Sequence, residues 1–163
     1  MFFAQFGFQQ GPWLNIILII FMNLTDNFTL EEMTHSDVAE SSGIDNTPSQ
    51  EVINNLQRLA DQLQVIRNKW GSPIKVTSGY RCLRLNKLVK GSSTSQHICG
   101  TAADITTGSK AKNKDLFNLI VYLADRKSIM LRQIIDEYDY SWIHLSVNDD
   151  KHTYRANQVL HLK

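Results

Sequence analysis

Ser95-Gln96-His97-Ile98-Cys99-Gly100-Thr101-Ala102-Ala103-Asp104 places a histidine and an aspartate seven positions apart, across a glycine and small residues that let backbones approach closely. The pair reads as two legs of a metal site. A catalytic zinc takes three protein ligands and keeps a fourth position open, so a third donor is expected on a strand that can reach this one. His144, in Trp142-Ile143-His144-Leu145-Ser146, is the candidate. His97, Asp104 and His144 form a His2Asp donor set suited to Zn2+. Such an ion lowers the pKa of a water to about 7 and polarises a carbonyl, which is the chemistry of amide hydrolysis. By spacing alone, one His and one Asp seven apart also occur in an ordinary turn with a surface histidine.

The flanks give those residues a setting. Pro73 opens Ile74-Lys75-Val76-Thr77, whose alternation and β-branched content predict a strand that delivers Ser78-Gly79-Tyr80-Arg81 to a loop. An arginine there offers a fork that binds a carboxylate through two parallel hydrogen bonds. Around 102–106 a strand puts Ala102 and Asp104 on one face and Ala103 and Ile105 on the other. Strands are also predicted over 133–138 and 142–147, joined tightly through Asp139-Tyr140-Ser141. In the second of these Trp142, His144 and Ser146 share a face opposite Ile143, Leu145 and Val147, so the histidine is presented to a cleft.

Helices fill the rest. Thr29-Leu30-Glu31-Glu32 is a capping box, followed by a short helix to about Ser41. Thr47-Pro48-Ser49-Gln50 repeats the start signal, with proline at the first helical position. Val52, Ile53, Leu56, Leu59, Ala60, Leu63, Ile66 and Trp70 then recur at helical spacing until Gly71. A short helix is expected over 83–89, and Ser109 or Asn113 caps another to about Arg126 with Phe117, Ile120, Val121 and Ala124 buried. The order predicts an α+β fold, an antiparallel sheet with helices packed against it and the zinc site at the sheet face.

With 163 residues, 42% hydrophobic and 20% charged, the chain reads as one globular domain with a sizeable core. Its net charge of +1, with no concentrated basic footprint, argues against a nucleic-acid partner. Residues 1–21 carry no charge, and 13–22 is apolar apart from Asn15. That run is too short for a stable membrane span, which takes roughly 20 residues, and it lacks a basic flank and a small-residue cleavage site. It is read as upstream sequence before a natural start at Met22, as a cryptic export signal or as a packed extra element. The expected division is an apolar extension over 1–27 and a domain over 28–163. Cys82 and Cys99 are read as free thiols or, after export, a bridge. His35, His152 and His161 are expected to be ordinary surface residues.

Ser95, His97, Gly100, Ala102 and Asp104 match position for position the Ser-x-His-x-x-Gly-x-Ala-x-Asp pattern of the zinc D-Ala-D-Ala carboxypeptidases and the phage or bacterial L,D- and D,D-endopeptidases of peptidoglycan. Thr77-Ser78-Gly79-Tyr80-Arg81 with Asn86 resembles their arginine motif, and Trp142-Ile143-His144 their last-histidine strand. The resemblance covers about 28–160 and extends to the zinc site of the hedgehog signalling domain. It implies a zinc metallopeptidase acting as a monomer at the cell wall on stem peptides, of carboxypeptidase or endolysin type, with Arg81 and Ser95 contacting substrate. Many members carry the general base three residues before the last histidine, where this chain has Ser141. In relatives with a longer connection the acid lies about six residues before, so Glu137, at seven, ranks first and Asp139 second. The missing acid keeps open a zinc-stabilised, non-catalytic binding module of the same fold.

Overall fold

The computed structural model describes residues 22–149 and 157–162. Helix α1 (Leu30–Thr34) starts at the predicted capping box, where Thr29 Oγ1 accepts the Glu32 amide at 3.0 Å. The single helix expected to reach Ser41 is broken in two. His35 and Ser36 are extended, and the Ser36 hydroxyl accepts the Ala39 amide, so α2 (Asp37–Ser41) restarts on its own cap. A serine hydroxyl offers free amides a partner and so competes with helix continuation. Helix α3 (Gln50–Trp70) likewise begins at Gln50 rather than Pro48, because Ser49 Oγ takes the Val52 amide while the Thr47 amide is held by Asp45. It ends at Gly71 in the left-handed region, at φ 74°.

After β1 (Lys75–Ser78) come α4 (Leu83–Leu88), a 3₁₀ turn (Gln96–Cys99), β2 (Ala102–Thr106) and α5 (Lys110–Asp125). Ser109, not Asn113, caps α5. The chain closes with β3 (Gln133–Glu137), β4 (Trp142–Ser146) and β5 (Gln158–Leu162). Among the described residues the strands form one sheet in the order β1-β2-β4-β3-β5. All neighbours are antiparallel except β3 and β5, which run parallel. The fold is therefore α+β on a mixed sheet, and the β3–β4 pair expected to complete it has a further strand outside. Gln158-Val159-Leu160-His161-Leu162 is an edge strand with no buried side chain, so it lacks the half-buried pattern that announces a strand.

One face of the sheet is dry. Ala103, Ile105, Ile134, Ile143 and Leu145 pack under α3 and α5 with Leu56, Leu59, Leu63, Leu116 and Ile120, all fully buried. Side chains alternate along each strand, and cross-strand partners share a face. Asp104 lies opposite His144, and Ile135 opposite His144 on its other side. Glu137 is two residues beyond Ile135, so it joins them on the open face. Asp136 is turned the other way. It is buried and paired with His161, whose ring lies 5.4 Å from that of Phe117. His161 therefore ties β5 to β3, a structural part its sequence position did not suggest. His35 is exposed between Asp37 and Glu40, while His152 and residues 1–21 lie outside the described residues. No described helix is long and apolar enough to cross a membrane.

Residues 22–27, expected to precede the domain, pack on it. Leu24 belongs to the core, the Leu30 amide donates to Met22 O at 2.9 Å, and Gln57 Nε2 donates to Leu24 O at 2.8 Å. A chain beginning at Phe28 is thus expected to be less stable than one beginning at Met22 by about 2 kcal/mol or more, the scale of emptying a buried leucine site. Denaturant unfolding of the two would measure it, and equal midpoints would put the boundary back at 28.

Candidate metal centre

The three predicted donors converge. His144 Nδ1 lies 2.9 Å from Asp104 Oδ1, His97 Nε2 3.4 Å from the same oxygen, and the two nitrogens 3.3 Å apart. Asp104 and His144 come from facing positions on β2 and β4, and His97 from the 3₁₀ turn. That turn presses on α3 at Gly100, which has φ 69° and where a Cβ would stand 2.7 Å from Val52 Cγ1. Asn55 Nδ2, from α3, holds the end of the turn through Cys99 O at 2.8 Å.

The imidazole of His97 is oriented by the arginine loop. Its Nδ1 faces Gly79 O at 2.6 Å, and since a carbonyl only accepts, Nδ1 carries the proton and Nε2 presents its lone pair. Gly79 is itself wedged against α1, where a Cβ would fall 2.1 Å from Met33 O. The Arg81 amide donates back to His97 O at 3.1 Å, so loop and histidine hold each other. Asn46 clamps the same loop, donating to Tyr80 O and Thr34 O and accepting the Cys82 amide at 2.7 Å. Asn86 braces the following loop by donating to Ser92 O at 2.9 Å.

His144 Nε2 lies 3.1 Å from Gln96 Oε1; with the ring proton on that nitrogen, Nδ1 is a lone pair too. Two imidazole lone pairs and a carboxylate oxygen thus point at one another across about 3 Å. Such a cluster repels itself unless a cation sits among the three atoms. Two ligands about 2.0–2.1 Å from a tetrahedral zinc stand about 3.3 Å apart, close to the distances found. The donors present fit zinc. Burial works against ionisation of Asp104, but the two imidazoles beside it outweigh burial and hold the carboxyl far below the usual carboxylate range. It is therefore a carboxylate at neutral pH, the form that could bind a cation.

His144 forms part of the wall of a cleft of about 700 Å³ together with Ser95, Gln96, Cys99, Arg132 and Glu137. Ser95 starts the 3₁₀ turn but its hydroxyl does not cap it, which leaves the group free for other partners. Burial raises the pKa of Glu137, and the nearby charge of Asp104 raises it further, against the pull of both histidines. Arg81 lines a separate groove of about 800 Å³ with Glu32, Lys75 and Thr77. Its Nε is buried without a hydrogen-bond partner, and burial lowers its pKa while Asp104 and Glu137 oppose that. Asp139 is not in the cleft. It is exposed and paired with Lys110 at 3.5 Å. Cys82 and Cys99 are unbridged, and the Cys82 sulfur caps α4 by accepting the Leu85 amide.

The sequence profile of the Peptidase M15 family matches residues 26–146. The chain belongs to the M15 peptidase family. The matched stretch ends with β4, so it holds all three donors and leaves β5 outside. No curated protein matches the chain closely enough to count as a relative. M15 peptidases are zinc-dependent, in keeping with the donor set in this member.

Sequence reasoning missed Gln96 and Asn46. Gln96 was in plain view beside His97, but the pattern gives that position no assigned residue. Asn46 had no signal, because its partners lie far along the chain. The purified M15 domain is expected to carry about one zinc per chain, and His97→Ala or His144→Ala to abolish tight binding and the stability linked to it. Metal analysis with thermal unfolding would check this; full occupancy in both variants would move the site elsewhere.

Proposed function

We propose that this M15 peptidase is a zinc metallopeptidase that hydrolyses peptide bonds in peptidoglycan stem peptides at the cell wall. One observation carries the reading: the Glu137 carboxylate and the uncommitted Ser95 hydroxyl line the same cleft as the ligand His144. His97, Asp104 and His144 would hold zinc, which supplies Lewis-acid polarisation of the scissile carbonyl and a more acidic water. Glu137 takes a proton from the attacking water and later passes it to the leaving amine, so that C–O bond formation and C–N cleavage yield a carboxylate and an amine. A carboxyl fixed at the end of a strand and facing the cleft suits both steps, since it can take the proton and hand it on without moving far. Ser95 donates a hydrogen bond to the substrate, and the Arg81 guanidinium pairs with a substrate carboxylate that extends from the cleft into the neighbouring groove.

Geometry favours Glu137 over Asp139. The register places Glu137 on the face of Asp104 and His144, whereas Asp139 is turned outward to Lys110. The observation behind the second reading, a zinc-stabilised binding module, is Ser141, which stands where many members carry an acid and whose hydroxyl is used to donate to Tyr138 O at 2.8 Å.

Glu137→Gln is expected to keep zinc and stability while turnover falls about 10²-fold or more, and Asp139→Asn to be mild. Product masses from digested peptidoglycan would follow both and identify the bond. The reverse ranking assigns the base to Asp139, and no product from any peptidoglycan, with neither variant mattering, leaves the binding module. Arg81→Lys is expected to raise KM about 10-fold or more for substrates with a free carboxylate, on the scale of a charge-assisted hydrogen bond, but not for their amides.

A further inference from the structure

The two histidine ligands are oriented in different ways. His97 lies in a turn beside the arginine loop and gives its outer N–H to a backbone carbonyl, that of Gly79. His144 lies in the middle of β4 between two hydrogen-bonded strands, β2 and β3. Strand carbonyls there are committed to the ladder, so its outer nitrogen needs a side chain. Gln96 supplies it.

Gln96 starts from a fixed base. It opens the 3₁₀ turn, and its carbonyl accepts both the Thr101 amide and the Thr101 hydroxyl at 3.2 Å. From there its Oε1 reaches His144 Nε2 at 3.1 Å. The opposite tautomer of His144 has a ready alternative. With its proton on Nδ1 the ring would donate to Asp104 Oδ1, 2.9 Å away, and close the donor cluster on itself.

We propose that Gln96 is a positioning residue that selects the Nε2–H tautomer and the ring angle of His144, so that Nδ1 is the nitrogen offered to the metal. This rests on the metal site and not on hydrolysis, so the readouts are metal affinity and ring protonation.

Gln96→Leu removes the acceptor at a half-buried position, and Gln96→Glu keeps it at nearly the same shape. Zinc affinity by chelator competition is expected to fall about 10- to 100-fold in Gln96→Leu, the usual cost of losing an outer hydrogen-bond partner of a metal-bound histidine. In Gln96→Glu it is expected to stay within a few-fold of wild type. Long-range ¹H–¹⁵N spectra of the zinc-loaded protein should show a protected His144 Nε2–H in wild type and Gln96→Glu, and a rapidly exchanging one in Gln96→Leu. Melting of the metal-free chains should be alike, which separates positioning from folding. Wild-type affinity in Gln96→Leu, or equal loss in Gln96→Glu, overturns the proposal. A wild-type chain that takes up no zinc overturns it together with the metal site. Absence of peptidoglycan cleavage with the affinity pattern intact leaves it standing and removes only the hydrolase reading.

Discussion

Asp104 and His144 face each other across β2 and β4 because the residues between and beside them, Ala103, Ile105, Ile143 and Leu145, are drawn into the core. A strand can shift its register only in whole residues, and a slip by one sends every side chain to the opposite face. Burying a Leu or Ile side chain is worth about 1.5–3 kcal/mol, so a slip of either strand would expose several at once. The ligands' own interactions are not needed to set the register. The apolar face holds the polar face in place, and two charged or basic groups can stand close together because neither could move without unpacking the sheet.

The third donor arrives by a different route. His97 belongs to a short turn whose stability comes from what it leans on: α3 through Gly100 and Asn55, and the arginine loop through two reciprocal hydrogen bonds. The same loop carries Arg81 and is clamped by Asn46. A candidate metal ligand and a substrate-binding candidate therefore share one hydrogen-bonded ring of backbone.

The connection between β3 and β4 shows how the backbone decides a chemical question. Tyr138, Asp139 and Tyr140 are all left-handed, at φ 50°, 55° and 58°, although none is glycine. Each such residue costs of order 1–3 kcal/mol and persists only where its surroundings impose it. Here Asn113, buried on α5, donates to Tyr140 O and Ser141 O and accepts the Thr107 amide, and the Ser141 amide closes on Glu137 O. The turn swings Asp139 out to Lys110 and leaves Glu137 on the last rung of the ladder, facing the cleft.

Much was legible in residue order alone. Periodicity located α3, α5 and four strands to within a residue or two, because each buries one face and writes that face as period 3.6 or 2. The motif around His97 and Asp104 with His144 named the three donors, since their residue types and strand parity are local properties. What sequence could not decide was anything set by a partner far along the chain. The split between α1 and α2 turned on which of two caps won, β5 on a neighbour that leaves its own residues half exposed, and the orientation of both imidazoles on Gly79 and Gln96. Glu137 and Asp139 are equally acidic and two residues apart in sequence. Only the fold, by making one a strand residue and the other the middle of a left-handed turn, put one in the cleft and the other in solvent.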